Sequence, residues 1–230
     1  MTTLLFDIDG TLLGSGGSGQ VAMEKTLQQV FGIDRLEHDI PAAGRTDKAI
    51  VTDLFQWHDI ETSEENWLAF QKAYFEVLPE TLAQSIGAVL KGAAETLQTL
   101  FESREYRMGL LTGNFEKAAW IKLRSHQLDH PFEFGAFGDH HHARDDVARD
   151  AWTRLSAPPF NVKQPESVWI IGDTPADIQC ARAMGARVIA VATGLFEEQV
   201  LKSHSPDVFV QDLTEITDWS FTHQTDKSLS

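Results

Sequence analysis

Thr3-Leu4-Leu5-Phe6-Asp7-Ile8-Asp9-Gly10-Thr11 is a short apolar run that breaks into two aspartates, a glycine and a threonine. Continuous apolar runs bounded by turn residues fit strands buried on both faces. Thr3 to Ile8 is therefore expected to be such a strand, with a tight turn after it. Two later stretches repeat the pattern. Arg107 to Leu111 runs into Thr112-Gly113-Asn114, and Val168 to Ile171 runs into Gly172-Asp173-Thr174-Pro175.

Helical patterns separate these strands. They are expected over Gly92–Glu102, Phe115–His126, Asp145–Leu155 and Ala176–Met184, with a short one near Glu197–Leu201 and another from Leu213. Further strands are expected at Phe134–Phe137, Arg187–Ala192 and Val208–Val210. Alternating strands and helices imply an α/β fold, a mostly parallel sheet covered on both faces. Residues 15 to 87 break the alternation and read as helices only. Gln20–Phe31 has helical spacing, with Val21, Leu27, Val30 and Phe31 on one face, and Gly32 ends it. Asp47–Trp57 and Ser63 to about Leu82 follow. The expected organisation is a core of residues 1–14 and 88–230 with an all-helical insertion at 15–87. The run Gly14-Ser15-Gly16-Gly17-Ser18-Gly19 and the region Ser85 to Gly92 are its two expected hinges. The tail from Thr222 is polar and expected to fray.

Composition narrows the function. Lys plus Arg is 19 against 34 Asp plus Glu, a net charge of −15 in 230 residues. A general nucleic-acid binder or an anionic-lipid binder needs a basic surface, so neither is expected. The apolar stretches are short; Val188–Phe196 is uncharged but spans nine residues, far below the ~20 residues of a membrane helix. The N-terminus has no basic region before Asp7 and does not read as a signal peptide, so a cytoplasmic location is expected. Cys180 is the only cysteine. It sits among Ala181 and Ala183 and reads as a small packing residue.

The polar residues at the strand ends carry the chemistry. In open parallel sheets, ligand sites lie outside the carboxyl ends of the strands. Asp7 with Asp9, Thr112, and Asp173 with Asp177 should therefore converge. Clustered acids repel unless a cation lies between them. All-oxygen ligands favour a hard ion, and Mg²⁺ completed by phosphate oxygens suits such a set.

Asp7-Ile8-Asp9-Gly10-Thr11 resembles the first signature of the haloacid dehalogenase superfamily. Leu110-Leu111-Thr112-Gly113-Asn114 resembles the second, and Gly172-Asp173-Thr174-Pro175-Ala176-Asp177 the fourth. The insertion is similar to the helical cap of the subgroup that includes phosphoglycolate phosphatases. The resemblance implies a Rossmann-like three-layer core and a Mg²⁺-dependent phosphatase acting on a small phosphorylated metabolite, a phosphomonoester that is phosphoglycolate-like or a sugar phosphate. Asp7 would be the nucleophile and a metal ligand. Asp9 would be the general acid and base, with its carbonyl on the metal. Thr112 would bind a phosphate oxygen, helped by backbone N–H groups near Gly113 and Asn114; Gly10 and Thr11 would line the same site. Asp173 would hold the metal, and Asp177 a metal-bound water or the surrounding shell. The second acid, Asp9, points within the superfamily to phosphate ester hydrolysis or a phosphomutase.

The family's third signature, a Lys or Arg opening the helix before the fourth, has no Lys-Pro pair here. Arg144 is the choice for that role, with Arg149 and Lys163 as rivals. That departure also leaves open a binding or regulatory protein on a worn scaffold. Several other residues have two readings. Gly44-Arg45-Thr46-Asp47 is either a capped helix start or a loop that brings Arg45 to the substrate. His140-His141-His142 reads as a solvated loop rather than a metal site. Trp57, Trp67 and Trp120 read as core, and Asp177 also suits a helix first turn.

Overall fold

The computed structural model describes residues 1–34 and 38–223. Strand β1 (Thr2–Phe6) is followed by a two-residue strand β2 (Leu13–Gly14) and then by helices α1 (Ser18–Phe31), α2 (Asp47–Trp57) and α3 (Glu64–Gln84). Strand β3 (Ala88–Val89) returns the chain to the sheet region. Next come α4 (Ala93–Ser103), β4 (Tyr106–Leu111), α5 (Glu116–Ser125), β5 (Phe134–Ala136) and α6 (Arg144–Ser156). Last are β6 (Val168–Gly172), α7 (Pro175–Met184), β7 (Arg187–Val191), α8 (Glu198–Ser203) and β8 (Val208–Val210).

Six strands form one parallel sheet in the order β5-β4-β1-β6-β7-β8, so the chain switches direction at β1. Every residue of β1 and β6 is buried, which explains their uninterrupted apolar sequence. One layer packs Leu4, Phe6, Leu97 and Leu123 on one face of the sheet. The other packs Leu5, Val147, Ile178 and Val188 on the opposite face. This is the three-layer Rossmann-like α/β core that the alternating pattern implies.

The described residues of the helical insertion build a third cluster. Leu27, Leu54, Phe55, Phe70, Tyr74 and Leu78 pack together and take in Phe115 and Ala118 at the start of α5. Phe115 meets Tyr74 and Trp67 edge-on, so aromatic contacts seat the insertion on the core. The two connecting segments lie side by side, because β2 pairs antiparallel with β3.

Some expected details differ. The buried face of α1 is Ala22, Met23, Thr26 and Leu27, while Val21 is exposed. Ala22 and Thr26 let α1 lie close to α3, and the β-branched Val21 falls outside that contact. Trp57 is 54% exposed at the last residue of α2, off the face that carries Leu54 and Phe55. Trp67 and Trp120 do pack against the clusters. The segment from Leu213 is a single 3-10 turn, Leu213–Glu215. Thr222 does not begin a frayed tail. It is buried in a 3-10 turn, and its carbonyl accepts the Trp169 indole N–H at 3.1 Å. Residues 224–230 lie outside the described residues.

Candidate active site

Strand register brings the polar residues together. Phe6 lies level with Leu110 on β4 and with Ile171 on β6. The next residues outward are Asp7, Leu111 and Gly172, and then come Ile8, Thr112 and Asp173. The Asp7 N–H donates to the Ile171 carbonyl at 2.9 Å, and the Thr112 N–H to the Ala136 carbonyl at 3.1 Å. The site thus hangs on backbone hydrogen bonds at the end of a buried sheet.

Asp7, Asp173 and Asp177 are all buried, with one carboxylate oxygen from each within 4.8 Å of the others. Asp7 Oδ1 is buried and has no hydrogen-bond partner. Burial pushes the Asp7 carboxyl up to about 7; the Arg144 guanidinium opposes this, while Asp177 and Asp9 add to it. Burial also drives Asp173 well above the usual carboxylate range, with Asp177 and Asp7 next in effect. Two glycines leave room for the Asp173 carboxylate: a Cβ on Gly10, which has φ +86°, or on Gly194 would collide with it. The Thr11 hydroxyl donates to Asp173 Oδ1 at 2.9 Å. Three crowded, desolvated carboxylates with an orphaned oxygen fit a hard divalent cation, which would relieve their repulsion.

Arg144 opens α6 from the second layer and is buried among these acids. Its Nη1 lies 3.5 Å from Asp7 Oδ1, and its Nη2 donates to Asp177 Oδ1. Burial works against its charge, but Asp7 and Asp177 hold its pKa above the ordinary value. Asp177 is also the third residue of a capping box, accepting from the Thr174 N–H and hydroxyl at the start of α7. The helix-start reading of Asp177 therefore holds, and the same carboxylate also pairs with Arg144. Arg149 is exposed and paired with Asp146 at 2.5 Å, and Lys163 is exposed, so neither rival reaches the site.

Asp9 stands on the side facing the insertion. Its Oδ2 accepts from Lys122 Nζ at 2.6 Å and from Asn114 Nδ2 at 2.8 Å. Burial alone would raise the Asp9 carboxyl, but the Lys122 ammonium and these hydrogen bonds hold it below its ordinary value. The Asn114 amide also bridges to the Thr112 hydroxyl at 2.8 Å and accepts from Lys122 at 2.6 Å. In turn, Asp9 and Asp47 outweigh burial and raise the Lys122 pKa.

Lys122 escaped the reading of the sequence, yet a signal was present. On α5 the buried residues are Ala118, Ala119, Lys122 and Leu123, so a lysine occupies the apolar stripe. Such a charge needs buried partners. In the sequence Asp47 and Thr46 are alternative caps for the helix start. Thr46 is the residue that caps α2, accepting the Ala49 N–H at 3.1 Å. Asp47 clasps the core instead: its N–H donates to the Gly113 carbonyl at 2.7 Å and its carboxylate accepts the Phe115 N–H at 2.8 Å.

Arg45 lines the same cavity but is committed to Asp53 at 2.6 Å and to the Pro41 carbonyl at 3.1 Å. The histidine loop forms no metal cluster among the described residues: His141 pairs with Asp150 at 2.9 Å, and the His140 and His142 carbonyls accept from Lys48 and Thr46. Cys180 is buried, and its thiol is pushed up to about 12 by burial, which makes it inert packing.

Comparison with known proteins decides the family. The model described as haloacid dehalogenase-like hydrolase matches residues 4–191. The chain belongs to the haloacid dehalogenase-like hydrolases. It is 24% identical over 212 residues to a phosphoglycolate phosphatase of Aquifex aeolicus, covering 90% of this chain and 91% of that protein. It is 21% identical over 219 residues to pyrophosphatase PpaX of Anoxybacillus flavithermus, covering 94% and 95%. Among solved structures it is similar to CbbY from Rhodobacter sphaeroides in complex with phosphate, with a TM-score of 0.73 and 18% identity, covering 97% of this chain and all of that one (100%). A hydrolase from Pseudomonas syringae superposes with a TM-score of 0.69 at 19% identity, covering 98% and 100%. No helix among the described residues is long and apolar enough to cross a membrane.

Proposed function

We propose that this haloacid dehalogenase-like hydrolase is a Mg²⁺-dependent phosphatase that cleaves a small phosphomonoester through an aspartyl-phosphate. The observation that carries this reading is the buried Asp7 carboxylate, with an orphaned oxygen, between Arg144 and the Asp173–Asp177 pair. The names of the relatives add support, being phosphatases and a pyrophosphatase. Asp7, Asp173 and the Asp9 backbone carbonyl would hold Mg²⁺, with Asp177 orienting the shell. When bound, the ion supplies charge that offsets the phosphate oxygens and the crowded carboxylates.

Asp7 attacks phosphorus while the bond from phosphorus to the ester oxygen breaks. Asp9, which for this step carries a proton against the pull of Lys122, gives it to that departing oxygen. A water then attacks the phosphoryl group, Asp9 takes the water's proton, and inorganic phosphate leaves with Asp7 restored. Thr112, Gly113 and Asn114 present donors to the phosphoryl oxygens, together with the turn at Gly10 and Thr11. Arg144 offsets the charge that builds at Asp7 and phosphorus. Residues 15–87 act as a cap over the core of residues 1–14 and 88–230, shielding the first step from bulk water. Arg45 lies on the cap side of the cavity, and it would reach a substrate only by leaving its pair with Asp53.

The missing Lys-Pro signature was the support for a worn, non-catalytic scaffold. Arg144 beside Asp7 supports the catalytic reading over that one. Hydrolysis of p-nitrophenyl phosphate with and without Mg²⁺ tests the proposal: turnover that needs the metal and falls at least about a thousandfold in Asp7→Asn is expected. Equal rates in the variant, or a sugar phosphate isomerised with no phosphate released, would overturn it.

A further inference from the structure

The space between the core site and the insertion is a cavity of about 440 Å³. Its floor is the acidic site. Its roof comes from the insertion: Met23, Ile40, Ile50 and Leu54 form an apolar patch, beside Gln20, His38, Arg45 and Asp47. Several buried polar atoms there lack hydrogen-bond partners; Asp7 Oδ1, Asp9 Oδ1 and His38 Nε2 are among them, and so is the hydroxyl of the fully buried Tyr74. Buried hydroxyls nearly always have partners, so this one is free for a ligand.

The Tyr74 hydroxyl shares a corner with the reacting groups. A Cβ placed on Gly19 would lie 3.5 Å from Lys122 Nζ and 3.8 Å from the Tyr74 oxygen. Lys122 Nζ is itself 2.6 Å from Asp9. An ammonium has three protons, and Asp9 and Asn114 accept two of them. The Tyr74 hydroxyl and the third ammonium proton therefore converge beside the group proposed to protonate the departing oxygen.

Each Lys and Arg among the described residues lining this cavity already faces a carboxylate. Lys122 faces the carboxylates of both Asp9 and Asp47. Arg45 is paired with Asp53, and Arg144 with Asp177 and Asp7. His38 Nε2 stands 3.8 Å from Glu24 Oε1. A carboxylate or second phosphate under this roof would be desolvated against neighbouring acids.

Resting on the phosphatase reading above, we infer that the released alcohol is neutral and largely apolar, with one hydroxyl or carbonyl oxygen close to the ester that Tyr74 and Lys122 receive. Glycolate and phosphate are then poor leaving groups here, although relatives are named for them.

The test compares kcat/KM for hexyl phosphate, 2-hydroxyhexyl phosphate, ethyl phosphate, phosphoglycolate and pyrophosphate, with p-nitrophenyl phosphate as the general control. Each buried methylene contributes about fourfold, so hexyl should exceed ethyl phosphate at least about tenfold. Both hexyl esters should exceed phosphoglycolate and pyrophosphate by at least the same factor. The added hydroxyl should contribute a further factor of about ten, and Tyr74→Phe should abolish that selectivity ratio. Phosphoglycolate or pyrophosphate equal to or faster than the hexyl esters would overturn the inference while leaving the phosphatase standing. So would a hydroxyl selectivity that Tyr74→Phe leaves intact. Inactivity toward every ester, p-nitrophenyl phosphate included, would overturn both.

Discussion

The two walls of the cavity are built by different means. The core wall is set by main-chain register: three adjacent strands end level, and hydrogen bonds between β1, β4 and β6 place Asp7, Thr112 and Asp173 before any side chain packs. The facing wall is set by side chains, with aromatic packing around Phe115 and the Asp47 clasp seating the insertion. Backbone register leaves a side chain little freedom, which suits groups that must meet phosphorus in one geometry. Packed side chains can exchange shape without losing the sheet, which suits a wall that chooses among substrates. Changes to the core wall should therefore act on turnover, and changes to the facing wall on selectivity and on the seating of the insertion.

The largest break is expected at Arg144. Arg144→Ala leaves Asp7 and Asp177 buried without their cation, so kcat should fall by about a hundredfold to a thousandfold and the melting temperature should drop as well. Arg149→Ala and Lys163→Ala, steady-state assays run alongside, should stay within about twofold of wild type. A smaller effect is expected at Lys122, where the two walls meet. Lys122→Met removes the ammonium that fixes Asp9, and kcat should fall by about thirtyfold with KM changed far less. Lys122→Arg should recover part of the loss. A change in KM alone would make Lys122 a substrate contact and not a support for Asp9.

The smallest effect concerns the clasp and is read as stability. Burial pushes the Asp47 carboxyl up to about 6, against the pull of Lys122 and the Phe115 N–H. Between about pH 4 and pH 6 the folded protein keeps a proton that the unfolded chain releases, so stability falls as pH rises through that window. Asp47→Asn lacks this loss. Its melting temperature relative to wild type should climb by on the order of 5 °C between pH 4 and pH 7. A constant offset across that range in differential scanning fluorimetry would contradict the buried ionisation.

How much could be read from the sequence follows the same division. The strand ends announce themselves, because an apolar run that stops at an acid has few other uses, and Asp7, Asp9, Thr112 and Asp173 were found that way. Arg144 was harder: three basic residues were in reach along the chain, and only folding α6 against the sheet buries one and leaves Arg149 and Lys163 in solvent. The facing wall was nearly silent. Tyr74 reads as one more aromatic on a helix, and its orphaned hydroxyl depends on contacts between α1, α3 and α5 that no local pattern contains. Lys122 lay between the extremes, its position in the apolar stripe of α5 being visible and its partners not. At the start of the tail, polar composition suggests fraying, but Thr222 is buried and its carbonyl docks on Trp169; residues 224–230 lie outside the described residues.

The most direct test of a phosphoryl group carried by Asp7 is to trap it. Wild-type enzyme mixed with Mg²⁺ and a substrate in excess, quenched in acid, reduced with borohydride and digested, should yield a modified peptide whose altered residue is Asp7. Modification at Asp9, Asp173 or any other residue, or turnover with no trapped adduct at all, would contradict the covalent route.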